Sequence, residues 1–416
     1  MSKHDNPEHD CITVLKIPST MNSMYLAVVM AASSLFMLFT ELTVQTKFEN
    51  PIVLTDPTNT DAPWNQSAVR WLLDAQSPDG GWGSGSHAYQ DVRDPHAVQT
   101  DPATTSFAAL ALMKSGGQLS ENPYRKEILK ALDRVLKDID SRPDNGRITS
   151  LTGTQPQVKL GIHIDASMAL QFLTTIREQV KDPVMESKID KAANVCIDLI
   201  QKSQNADGGW AGGGWAPVLQ SAMANNALEQ AQGRYDVDEK AIASSRKYQA
   251  NNVGGEGVRS DDAAGVPLYA AVSAQRATSS ESKEVQAILP SAFLGSQTDE
   301  PKDEAVISNA LQDKGITREK ADRLAKSYTV NQLSTKTLEN EDIWSGFGNN
   351  GGEEYLSYMM TSEALAHQDH DKWVQWRQSI EPKFKATQNP NGSWSGQHCI
   401  TSPVFCTAAV VQAWNQ

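Results

Sequence analysis

The sequence predicts an all-α protein, an (α/α)6 toroid carried on a single N-terminal transmembrane helix. Three observations predict the toroid. The same phrase occurs three times, as Gln76-Ser-Pro-Asp-Gly-Gly-Trp82, Gln204-Asn-Ala-Asp-Gly-Gly-Trp210 and Gln388-Asn-Pro-Asn-Gly-Ser-Trp394, always with the spacing Gln-x3-Gly-x-Trp. The copies stand close to two and three multiples of a unit of about 60 residues apart, as internal repeats do. Around them, amphipathic stretches alternate with bland, Ala-rich ones, the pattern of outer helices shielding inner helices that are buried on most faces. Within each phrase, Asp-Gly or Asn-Gly tolerates positive φ and ends a helix. The Trp then folds back over the turn, its N–H or the Gln amide closing a local hydrogen bond.

Taken in order, residues 1–20 form a short tail, and no charged residue stands between Ile17 and Thr40. Residues 21–42 are long enough to span a bilayer at about 1.5 Å per residue and read as an uncleaved signal-anchor. Lys3 and Lys16 before the segment bias the N-terminus to the cytoplasm, which puts the body outside it, in the periplasm of a bacterium. Residues 43–63, with Pro51, Pro57 and Pro63, read as a linker. The toroid domain then runs over 64–416. Outer/inner pairs are expected at 65–76 and 101–113, 123–140 and 161–176, 184–204 and 216–232, and 236–250 and 260–275. A polar insert near 278–342, with helices around 303–333, reads as a solvated face or arm. Inner 353–365, outer 371–387 and inner 402–414 complete six pairs. The net charge of −13 and the lack of a basic cluster exclude a nucleic-acid partner. Four cysteines do not make a disulfide scaffold, and Cys399 and Cys406 stand either as a disulfide or as free thiols.

The Gln/Gly/Trp phrase resembles the repeat of squalene and oxidosqualene cyclases and of protein prenyltransferase β-subunits, a terpenoid-cyclase-like superfamily of toroids. The closing stretch from Gly392 to Ala409 resembles bacterial proteins with prenyltransferase/squalene-oxidase repeats. Two looser joints, Tyr248-Gln249 with Gly254-Gly255 and Trp344-Ser-Gly-Phe-Gly348, fit the same scheme.

The alternation brings all inner-helix N-termini to one mouth, where free N–H groups favour carboxylates. Asp101, Asp165, Arg259 and Glu353 are expected to line a binding mouth there, and Asp261, Asp262, His163, His398 and Glu354 are its candidate catalytic residues. The cyclase resemblance implies that Arg259-Ser-Asp-Asp-Ala-Ala264 opens the fourth inner helix, with Asp261 as proton donor and Asp262 beside it. Arg259 replaces the family's first Asp and favours the ionised carboxylate. The prenyltransferase resemblance implies zinc held by Asp-x-Cys on the fifth inner helix. No Cys stands there, and only a displaced set of Glu354, His398 and Cys399 can be drawn. No cofactor is specified. With each family's motif broken, the expected function is a binding or scaffold module. It is tethered to the membrane and takes a protein or lipid-like ligand at the mouth. The alternative is an enzyme acting there on an isoprenoid or lipid-like substrate.

Overall fold

The computed structural model describes residues 62–416 apart from 211, 255–256, 259–262, 264–265, 296–301 and 347–349. The expected anchor at 21–42 lies outside the described residues, as do Arg259, Asp261 and Asp262. No described helix is long and apolar enough to cross a membrane.

Among the described residues, twelve helices make the two layers of the ring. They are α1 (Pro63–Asp74), α2 (Pro102–Gly116), α3 (Arg125–Asp140), α4 (Ile164–Gln179), α5 (Pro183–Lys202) and α6 (Pro217–Ala231), then α7 (Glu239–Asn251), α8 (Pro267–Ile288), α9 (Arg318–Leu338), α10 (Gly352–Gln368), α11 (His370–Thr387) and α12 (Pro403–Trp414). The even-numbered helices pack in the cyclic order α2, α4, α6, α8, α10, α12 and back to α2, and the odd-numbered ones lie outside them. Closure is direct: Phe107 of α2 stacks on Phe405 of α12 with centroids 5.0 Å apart, and Gln412 Nε2 donates to the Phe107 carbonyl at 2.9 Å. Four inner helices (α2, α6, α8 and α12) open on proline, which needs no N–H at the first helical position. The one described sheet is a two-residue hairpin pairing Val253 with Val258.

The three joints do more than end their helices. Trp82, Trp210 and Trp394 are fully buried. Each indole donates to a carbonyl at the end of the preceding outer helix: Leu72 at 2.8 Å, Ile200 at 2.8 Å and Phe384 at 3.0 Å. The Gln amide bonds its own turn and also the next outer helix. Gln76 reaches the carbonyls of Gly80 and Glu127, Gln204 those of Gly208 and Ala241, and Gln388 those of Gly392 and Trp64. Gln388 therefore ties the sixth outer helix to the first. Gly208 is required twice over: its φ is +96°, and a Cβ there would sit 2.3 Å from the Ser244 carbonyl of α7. Trp344 repeats the indole bond, to Leu338 at the end of α9, at 2.8 Å.

Two expectations are corrected. The fourth inner helix starts at Pro267, not near 260, because proline is tolerated in the first turn but breaks a helix interior. Asp261 and Asp262 therefore precede the helix rather than open it. The helices expected around 303–333 are present, but they do not form a solvated arm: α8 runs on to Ile288, a helix spans Glu304–Asp313, and α9 is the fifth outer helix. These pieces share a separate small core that includes Val285, Ile307, Leu311, Leu324 and Tyr328. The ring is also crossed towards the inner helices' C-terminal ends. There Glu363 of α10 meets Lys114 of α2 at 2.9 Å, Asn226 of α6 at 3.1 Å and Arg276 of α8 at 3.6 Å. Neither α2 nor α6 is a ring neighbour of α10, so these bonds span the axis.

Candidate functional site: the inner-helix N-terminal mouth

The mouth is closed by a plug. Thr154-Gln155-Pro156-Gln157 forms a capping box that starts a short helix, Gln155–Leu160. Three of its side chains radiate to three inner helices. Gln155 Oε1 accepts from the Thr401 and Ser402 N–H groups at 2.6 and 3.1 Å, capping α12. Gln157 Nε2 donates to Asp165 Oδ2 of α4 at 2.7 Å. Lys159, itself buried, acts electrostatically on Glu353 of α10 and lies 4.0 Å from the Trp215 ring centroid. A second loop holds the rim: Arg93 donates to the carbonyls of Gly396 and Thr401, and Gln90 to that of Cys399. Cys399 has φ +59°.

The expected residues form two groups. In one, Asp101 caps α2, accepting from Thr104 N–H at 2.7 Å and Ser84 N–H at 3.0 Å. Asp165 lies beside it, 3.7 Å from Arg147 Nη2. Burial pushes Asp101 up to about 6, against the pull of its N–H donors. Burial, and then the Asp101 charge, push Asp165 up to about 7. In the other group, Glu354 accepts from Tyr269 Oη at 2.7 Å and from Gly351 N–H at 2.7 Å, with His398 Nε2 at 3.8 Å. Glu353 accepts from Ile400 N–H at 3.3 Å, and burial followed by the Glu354 charge pushes it up to about 7. The Cys399 thiol, pushed up to about 12 by burial, is hydrogen-bonded to Glu353. Cys399 and Cys406 are both free thiols. His163 donates its backbone N–H to Gln220 Oε1 at 3.1 Å, and burial, then the Arg147 charge, holds its imidazole below the ordinary value. Among the described residues, no three His, Cys, Asp or Glu side chains are placed to hold a metal, so Glu354, His398 and Cys399 do not converge as ligands.

Sequence reasoning overlooked the plug, with its Gln155, Gln157 and Lys159, and the Tyr269 hydroxyl that meets Glu354. The signal was present, since Thr-x-x-Gln with an intervening proline is a helix-start pattern just before an inner helix. A cavity of about 230 Å3 lies at the rim, lined by residues including Ser86, Tyr89, Val98 and Leu151, and none of the mouth carboxylates lines it.

The mouth carboxyls give a testable pH dependence. A folded-state pKa above the unfolded one means the fold holds extra protons, so their stabilising contribution is present at acid pH and lost as pH rises towards about 7. Glu353→Gln keeps an acceptor for Ile400 and removes the repulsion with Glu354. It is expected to raise unfolding free energy at pH 8 by about 1–2 kcal/mol and to flatten the decline between pH 5 and 8. Urea titrations across that range measure both.

Comparison with known proteins finds one family match and a set of distant structural likenesses. The model of the squalene-hopene cyclase C-terminal domain matches residues 52–135, which hold the first joint and the first inner helix. Over that stretch the chain is similar to squalene-hopene cyclases. Among solved structures, the type II terpene cyclase MstE from Scytonema is 13% identical to this toroid, covering 86% of this chain and 98% of that one with a TM-score of 0.32. An MstE variant bound to merosterolic acid A, its product, is 15% identical, covering 86% and 97% with a TM-score of 0.31. A search of curated proteins gives no match.

Proposed function

We propose that the chain is a membrane-tethered binding module. Residues 21–42 are the tether, the body is extracytoplasmic, and the plugged mouth is the face that receives a protein partner. The observation that carries this reading is the engagement of the mouth itself. Each described carboxylate there is bonded to a helix N-terminus, a loop N–H, a tyrosine or the plug. Over that plug, large apolar side chains face outwards instead: Trp215 is 63% exposed and Ile162 39%, with Tyr89 at 67% on the neighbouring rim. A photo-crosslinking residue in place of Trp215 is expected to yield one discrete protein adduct in the native host. Ile162→Asp is expected to abolish it. The same probe in place of the α3 residue Lys126 is expected to yield none. Diffuse labelling at both positions contradicts the reading.

A second reading, an enzyme acting on an isoprenoid or lipid-like substrate, has one observation in its favour. Three buried carboxyls with pKa values of about 6, 7 and 7 at one mouth are poised to exchange protons near neutrality. Conversion of a linear polyprenyl substrate by the wild type, lost in Glu353→Gln, would establish it against the first.

A further inference from the structure

The fifth outer helix is displaced. α9 packs along α8 and the Glu304–Asp313 helix and makes little contact with α10. On the other side α11 contains Pro382, which cannot supply the N–H that an uninterrupted helix would offer there. Between them a cleft of about 710 Å3 opens over the outer face of α10. One end of it is aromatic: Trp344 stacks on Tyr358 with centroids 4.5 Å apart and planes 17° apart, and Trp376 lies 6.3 Å from Trp344. Leu338, Leu365 and Ile380 continue the apolar wall.

Two features of the cleft are unexplained by the fold. Gln275 and Thr361 line it and are each only 1% exposed, yet Gln275 Oε1 and Thr361 Oγ1 have no hydrogen-bond partner. Leaving a buried polar atom unpaired is costly, and most such atoms in folded proteins have a partner. Lys383 lines the cleft with its amine 5.0 Å from the Tyr358 ring centroid, and among the described residues no carboxylate is within ion-pair reach of it. Glu354 acts on it only from farther off. The cleft thus sets an aromatic wall, the Lys383 amine and two unpaired polar atoms together, with Glu339, Glu341 and Lys372 also on its lining.

We propose that this cleft binds a small amphiphilic carboxylic acid. The apolar body lies along Trp344 and Trp376, the carboxylate meets Lys383, and a hydroxyl on the body pairs with Gln275 and Thr361. The inference goes beyond the partner-binding reading and stands separately from it, because no mouth carboxylate lines the cleft and the tests use different residues.

The test is photo-labelling of the full-length protein with a diazirine-bearing 12-hydroxydodecanoate, mapped by mass spectrometry. Labels are expected within 334–346 and 356–384, competed by unlabelled 12-hydroxydodecanoate and about tenfold weaker with the corresponding diol or amine. Lys383→Met, which preserves the apolar stem, is expected to cut labelling about tenfold, equivalent to about 1.4 kcal/mol, with an unchanged melting temperature. Trp376→Ala is the second variant, expected to weaken acid and diol labelling alike. Label spread over the surface, equal labelling by the diol, or full labelling of a folded Lys383→Met protein would overturn the assignment.

Discussion

Trp210→Ala is expected to lower the unfolding free energy by about 3–5 kcal/mol, the range for emptying a fully buried indole site. The side chain is wholly inaccessible, and its N–H is spent on the Ile200 carbonyl at 2.8 Å. Alanine leaves a cavity and takes one donor from that carbonyl, which keeps the Ser203 hydroxyl at 2.9 Å. Trp210→Phe refills most of the volume but not the bond, so the difference between the two variants isolates the polar contribution, about 1 kcal/mol. The joint also faces two outer helices, because Gln204 bonds both Gly208 within the turn and Ala241 of α7. Loss of hydrogen-exchange protection is therefore expected in α7 as well as α5, and protection confined to its wild-type level in α7 would show that the joint is only a local turn. Equilibrium urea unfolding with exchange mapping measures both effects.

The joints were legible because their chemistry is local: a residue with positive φ, a Trp and a Gln within seven positions specify one turn. Even there the sequence understated the Gln, whose second acceptor (Glu127, Ala241 or Trp64) lies on a different helix. The outer/inner alternation was legible for the same reason, since burial on all faces leaves its mark on composition. What escaped reading was non-local. The capping box at Thr154 shows a helix start, but nothing in those residues says that Gln155 will cap α12, 246 residues away. Convergence of N-termini at one mouth is a statement about direction, and whether a loop returns to fill the space depends on packing. The start of α8 was misplaced because Asp261 and Asp262 imitate a helix cap, while Pro267 five residues on is the stronger constraint. The lean of α9 towards α8, which opens the lateral cleft, follows from the satellite core around Leu311 and Leu324, a contact between pieces of the insert.

The bonds across the ring axis supply the other large effect. Glu363→Ala is expected to cost about 2–4 kcal/mol. Removing one member of a nearly buried ion network leaves the others desolvated, and the cost stays at the lower end of the usual range because the side chain keeps 11% exposure and Lys114 22%. Lys114 retains only Gln416, at 2.9 Å, and Arg276 retains Glu229, at 3.5 Å. The pH dependence identifies the origin of the loss. Although burial opposes ionisation of Glu363, Lys114 and Arg276 hold its pKa below the ordinary value. Its stabilising contribution is therefore present above the unfolded-state pKa and lost as pH falls through the folded one. That sign is opposite to the one at the N-terminal mouth, where Asp101, Asp165 and Glu353 are shifted upwards. Glu363→Ala should consequently destabilise the protein strongly at pH 7 and much less at pH 3.5, whereas Glu353→Gln should matter most at pH 8. If Glu363→Ala costs the same at both pH values, packing rather than charge holds this end of the ring together. If its cost disappears on acidification, the toroid is closed at its two ends by carboxylates of opposite character, protonation favouring one end and ionisation the other.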